Sequence, residues 1–98
     1  MLEKQVEQAL TSAAKARGGL ALKFVSPGVS GVPDRIVLMP GGRLIFAELK
    51  APGKHMRPLQ EYRKRQLESL GFHVCCIDQP DQIPALLEEV MHHGVHPA

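Results

Sequence analysis

The stretch "GVPDRIVLMPGGRLIFAELK", running from Gly31 to Lys50, decides the fold. Two apolar runs, "DRIVLM" (34–39) and "RLIFAELK" (43–50), flank the turn-forming "PGG", which is the pattern of a β-hairpin. Charge intrudes on both runs: Asp34 opens the first, and Glu48 and Lys50 close the second. Alternate residues of a strand share a face, so Glu48 and Lys50 look the same way with Cα atoms roughly 6.5 Å apart. Leu44 and Phe46 precede them on that face, which therefore turns from apolar to charged only at the strand's end.

Whether Asp34 joins them depends on the turn. A two-residue Gly41-Gly42 turn sets Asp34 opposite Leu49 and pointing away from Glu48. A three-residue loop, Pro40 to Gly42, sets it directly across from Glu48. Only an odd loop or a bulge unites the charges, and one of the two is expected. Carboxylates a few ångströms apart repel, and a cation between them resolves the conflict; hard oxygen donors of this kind suit Mg²⁺ or Mn²⁺. Such an ion can hold a phosphodiester oxygen and acidify an attacking water, while a nearby lysine stabilises the developing charge. Spacing alone also permits a plain structural role, with Asp34 capping the loop and Glu48 paired to Lys50 or Arg35.

The rest of the chain frames the hairpin. Residues 2–17 read as a helix, with Leu2, Val6, Ala9, Leu10 and Ala13 at helical spacing and Gly18-Gly19 as its stop. "LALKFV" (20–25) reads as a strand, and "SPGVSGVP" (26–33) as a loop. After the loop "APGKHMRP", a helix over 58–70 begins with Pro58 in its first turn and ends at Gly71. "FHVCCID" is a fourth strand, and "QPDQIPALLEEVMHH" a last helix that Pro84 interrupts or starts late. The order α-β-β-β-α-β-α predicts an α/β fold with a mixed four-stranded sheet flanked by helices.

With 98 residues there is room for one core, so residues 1–98 are expected to form a single domain with an unstructured tail over about 93–98. The absence of Trp and the presence of one Tyr argue against a broad base-stacking platform. The net charge of +2 is mild, yet "KAPGKHMRPLQEYRKRQ" concentrates Lys50, Lys54, Arg57, Arg63, Lys64, Arg65 and His55 against one acid, Glu61, which suits a phosphate-bearing partner. Adjacent Cys75 and Cys76 lack the spacing of a zinc or redox site and are expected as buried thiols on a strand. No signal peptide or membrane-length apolar run is evident, which fits a reducing cytoplasm. His92, His93 and His96 face no strong ligand, and Ser26 has no paired His and acid, so neither a histidine metal cluster nor a serine nucleophile is expected.

Taken together, "GVPD" (31–34), "FAELKAPGK" (46–54) and "RPLQ" (57–60), behind "EKQVEQAL" and "KFVSPG" (23–28), closely resemble the VRR-NUC family of the PD-(D/E)XK nuclease superfamily. The resemblance spans about Leu2 to Asp78 and implies a metal-dependent nuclease with Pro33-Asp34 and Glu48-Leu49-Lys50 as its motif. It also implies an acid on the first helix. Glu3 and Glu7 are both available, and the apolar stripe, at about 100° per residue, centres close to Glu3, which is preferred.

On this basis Glu3, Asp34 and Glu48, with the backbone carbonyl of Leu49, are the expected metal ligands, and Asp34, Glu48, Lys50 and Gln60 the expected catalytic residues. Lys54, His55 and Arg57, with Lys23 and Ser26, are assigned to the nucleic-acid backbone. The resemblance implies an Mg²⁺- or Mn²⁺-dependent endonuclease acting on branched DNA such as a four-way junction, as a homodimer. The alternatives are a non-catalytic nucleic-acid-binding module and a nuclease subunit that needs a recognition partner.

Overall fold

The computed structural model describes residues 2–93. Helix α1 (Glu3–Ala16) leads into β1 (Leu20–Lys23), β2 (Arg35–Met39) and β3 (Arg43–Leu49), an antiparallel meander. Helix α2 (Pro58–Ser69) then returns the chain to β4 (His73–Ile77), which runs parallel to β3. A short 3-10 turn, Pro80–Gln82, precedes α3 (Ile83–His93). The sheet order is β1-β2-β3-β4, and the expected α/β order and mixed sheet are both present.

The two faces of the sheet are treated differently. Val37 and Met39 of β2, Ile45, Ala47 and Leu49 of β3, and Ile77 of β4 face α1 and α3, where Val6, Leu10, Ala14, Ile83, Leu87 and Val90 complete the core. The period of two in the strands and about 3.6 in the helices meets in this one layer, which is why so short a chain can close it. Ile45 is fully buried there, so Ile45→Val is expected to cost about 1 kcal/mol through the lost methyl group, lowering the melting temperature by roughly 4–8 °C in thermal denaturation.

Most element boundaries fall within a residue or two of expectation. Strand β1 stops at Lys23 instead of continuing to Val25, although the Phe24 N–H still donates to the Asp34 carbonyl at 2.9 Å. Pro84 does not break the last helix: after the 3-10 turn the α-helix starts late, at Ile83, with Pro84 in its first turn, where a missing N–H costs nothing. The tail expected to be unstructured falls on 94–98, outside the described residues, and α3 runs through His93.

The cysteines require a correction. Cys75 is half-buried against the core, and burial pushes its thiol up to about 12, but Cys76 is exposed. Neighbours on a strand point to opposite faces, so two adjacent residues cannot share one buried environment unless both faces are covered.

Candidate active site

The turn between β2 and β3 has three residues. Met39 pairs with Arg43, leaving Pro40, Gly41 and Gly42 as the loop, with φ of +87° and +74° at the two glycines. That odd count fixes the register along the whole hairpin: Arg35 pairs with Ala47, and one step further Asp34 stands across from Glu48. Asp34 also accepts a hydrogen bond at Oδ1 from the Leu49 N–H, at 3.3 Å.

Glu48 is buried, at 4% exposure, and its two oxygens differ. Oε2 accepts from Gln60 Nε2 at 2.9 Å and lies 3.4 Å from Lys50 Nζ. Oε1 is buried without a hydrogen-bond partner among the described residues, an uncommon state for a carboxylate oxygen. Gln60 has a double task. Its Oε1 accepts from the Arg57 N–H at 2.8 Å, satisfying the free end of α2, while its amide nitrogen holds Glu48 in one orientation. Pro58 sets the helix start and so brings Gln60, the third helical residue, down onto β3.

The electrostatics of the pair are unfavourable as they stand. Burial, followed by the Glu48 charge, pushes the Asp34 carboxyl up from 3.8 to about 6; the Leu49 N–H and the Arg35 guanidinium oppose the rise, and Glu3 adds slightly to it. A cation between Asp34 and Glu48 would satisfy the partnerless oxygen and relieve the repulsion, and the donors are all hard oxygens, so the residues present fit Mg²⁺ or Mn²⁺. Among the described residues no three His, Cys, Asp or Glu side chains close into a ready cage. The convergence is of two carboxylates, with Glu3 acting from a greater distance.

The two acids of α1 separate cleanly. Glu7 Oε2 pairs with Arg35 Nη2 at 2.6 Å, while Arg35 Nη1 donates to the Asp34 carbonyl at 2.9 Å. Arg35, 8% exposed, thus ties α1 to the residue that carries the first carboxylate. Glu3, one turn before Glu7, is exposed and makes no ion pair among the described residues, yet its charge reaches Asp34. The buried role of Arg35 had no signal in the sequence, since an arginine after an aspartate at a strand start reads as a solvated edge.

The expected nucleic-acid contacts lie on two separate segments of the chain. Lys54, His55 and Arg57 are exposed in the segment before α2. Lys23 is exposed at the end of β1, and Ser26 is half-buried in the loop that follows it. Cys76 lies beside Glu48 in the parallel register, on the side of the sheet that carries the charges.

No model of a known protein family matches the chain. "Putative nuclease p44" of Acyrthosiphon pisum secondary endosymbiont phage 1 is 46% identical over 79 residues, covering 81% of this chain and 85% of that protein. A solved structure described as "VRR_NUC domain" superposes with a TM-score of 0.81 at 29% identity, covering 88% of this chain and 94% of its own. The α-β-β-β-α-β-α order and mixed four-stranded sheet, shared with that domain, are those of a PD-(D/E)XK nuclease fold. Within it, the chain belongs to the VRR-NUC nuclease family.

Proposed function

We propose that the chain is a metal-dependent DNA endonuclease that hydrolyses phosphodiester bonds, selective for branched DNA. The observation that carries this reading is the buried, partnerless Oε1 of Glu48, set across from a carboxyl already held near 6 by its surroundings. Asp34 and Glu48, assisted by Glu3 and the carbonyl of Leu49, would hold Mg²⁺ or Mn²⁺. A bound divalent cation would supply positive charge against the scissile phosphate and make water more acidic.

The side chains around it have separate tasks. Lys50, kept beside Glu48, places a second positive charge where the phosphate becomes more negative during attack. Gln60 fixes the Glu48 carboxylate through Oε2, which would leave Oε1 free to hold the cation. Lys54, His55, Arg57, Lys23 and Ser26 hold the sugar-phosphate backbone and carry no sequence information, so selection falls on DNA shape.

A homodimer on a four-way junction extends the same reading. The side of the sheet away from α1 and α3 leaves Leu20, Leu22 and Phe72 at 56%, 45% and 41% exposure, an apolar surface that a second copy would cover. In a phage-infected bacterial cell such an enzyme would act in the cytoplasm. Among the described residues no helix is long and apolar enough to cross a membrane.

The test is cleavage of four-way junction, flap, single-stranded and linear duplex DNA with Mg²⁺ or Mn²⁺. Cutting should stop in EDTA and slow by roughly 100-fold in Lys50→Ala, with branched substrates preferred. Undiminished cutting in EDTA removes the metal reading, equal cutting of linear duplex removes the branch preference, and a monomer in sedimentation removes the dimer.

A further inference from the structure

Helix α2 presents a second face beside the site. Gln60 turns inward to Glu48, whereas Leu59, 47% exposed, lies about 100° and Tyr62, 53% exposed, about 160° round the helix from it. Scattered exposed apolar side chains are ordinary. What singles out Tyr62 is the cation set against its ring. The Arg63 guanidinium lies 5.4 Å from the ring centroid. That guanidinium is itself fixed, with Nε donating to the Ser30 carbonyl at 3.0 Å and Nη1 to Gln66 Oε1 at 2.6 Å. Gly31, next to Ser30, lies so close to Leu59 that a Cβ added there would come within 2.8 Å of Leu59 Cγ. The loop over 26–33 therefore clamps the outer side of α2 and presents the tyrosine ring with an arginine behind it.

Charge completes the picture. Lys54, His55 and Arg57 are exposed just before the helix, Arg65 follows, and Glu61 is the single acid between Arg57 and Gln66. An aromatic spot bordered by cations, on the outer face of the helix that carries Gln60, matches the chemistry of an unpaired nucleobase: an apolar π-face with a phosphate on either side. A base inside continuous duplex is stacked on both faces and offers only its edges. The geometry points to Tyr62, backed by Leu59, as the surface on which an unpaired base of the substrate stacks, so that DNA with an unpaired strand reaching the outer face of α2 is selected over continuous duplex. One ring is no platform for a run of bases, but one contact is enough to discriminate. The inference rests on the nuclease reading above and names what that site would recognise in branched DNA.

Tyr62 is the chain's only tyrosine and the chain has no tryptophan, so intrinsic emission reports this ring alone. The experiment is a titration in EDTA with an oligothymidine strand and, separately, with a blunt duplex of equal length. The single strand should quench the tyrosine emission and the duplex should leave it unchanged. Tyr62→Ala should weaken single-strand binding by about tenfold and duplex binding by less than about twofold, while Tyr62→Phe keeps both. Unchanged emission at saturating single strand, or equal weakening for both DNAs, overturns the inference. Because no cutting is required, the two readings separate: quenching without cleavage in Mg²⁺ would remove the catalytic assignment and leave this one, cleavage without quenching would remove this one alone, and binding to neither DNA in EDTA would likewise remove this one alone.

Discussion

Asp34→Asn is expected to slow cleavage by roughly 10³-fold and, in the same protein, to raise the melting temperature at neutral pH. The opposite signs follow from one cause. The Asp34 carboxyl is pushed up from 3.8 to about 6, first by burial and then by Glu48. An acid whose folded value is raised holds its proton more tightly in the folded chain than in the unfolded one. The contribution of Asp34 to folding stability is then greatest at low pH and is lost as pH rises from 3.8 through about 6. At full strength that displacement is worth about 3 kcal/mol, and because Asp34 is only half-buried, solvent screening reduces it to about 1–2 kcal/mol.

Asparagine keeps the shape and an oxygen for the Leu49 N–H while removing the charge that opposes Glu48. In EDTA at neutral pH the variant should melt roughly 5–10 °C higher, and the two proteins should converge at about pH 4. Added Mg²⁺ should raise the melting temperature of the parent and not of the variant. If Asp34→Asn melts lower at every pH, the carboxylate is a structural cap for the Leu49 N–H and its assignment to a cation fails.

How legible this site was differs from residue to residue. Glu48 and Lys50 were readable from the period of the strand, because nothing but alternation is needed to set them side by side. Asp34 was readable only conditionally. Its side of the sheet turns on whether the loop holds two residues or three, and Pro40 decides that: paired with Arg43 it would have to donate an N–H it does not possess, so the ladder closes one residue earlier at Met39. Gln60 was visible as a first-turn residue of α2, but its reach to Glu48 depends on where the crossover lays the helix on β3. Arg35, Glu7 and Cys76 lay beyond reading, because their environments are set by tertiary packing. Arg35 is buried under α1 by a partner 28 positions earlier, and Cys76 is left exposed by the side of the sheet that the helices α1 and α3 do not cover. Local alternation and turn chemistry carry the hairpin; what is placed against the hairpin is not in either signal.

The glycine that opens "GVPD" gives the second large effect: Gly31→Ala is expected to lower stability by about 3 kcal/mol and to reduce cleavage beyond the loss of folded protein. Gly31 has φ of +81°, which costs an L side chain about 1–2 kcal/mol. Its added Cβ would meet Leu59 Cγ at 2.8 Å and the Leu59 carbonyl at 2.9 Å. A leucine tip can swing aside, but the carbonyl belongs to the first turn of α2 and moves only with the helix. Shifting that turn displaces Gln60, and with it the hydrogen bond that orients Glu48. Two controls divide the effect. Gly42 also has positive φ, at +74°, but nothing lies within 4 Å of its Cβ position, so Gly42→Ala should show the backbone cost alone, about 1 kcal/mol. Leu59→Ala combined with Gly31→Ala removes the side-chain clash and keeps the carbonyl clash, so it should recover part of the stability and little of the cleavage. Measured by thermal denaturation and by cutting at a temperature where every variant is folded, equal losses for Gly31→Ala and Gly42→Ala would show that the loop does not bear on α2, and that Gln60 is positioned by the helix start alone.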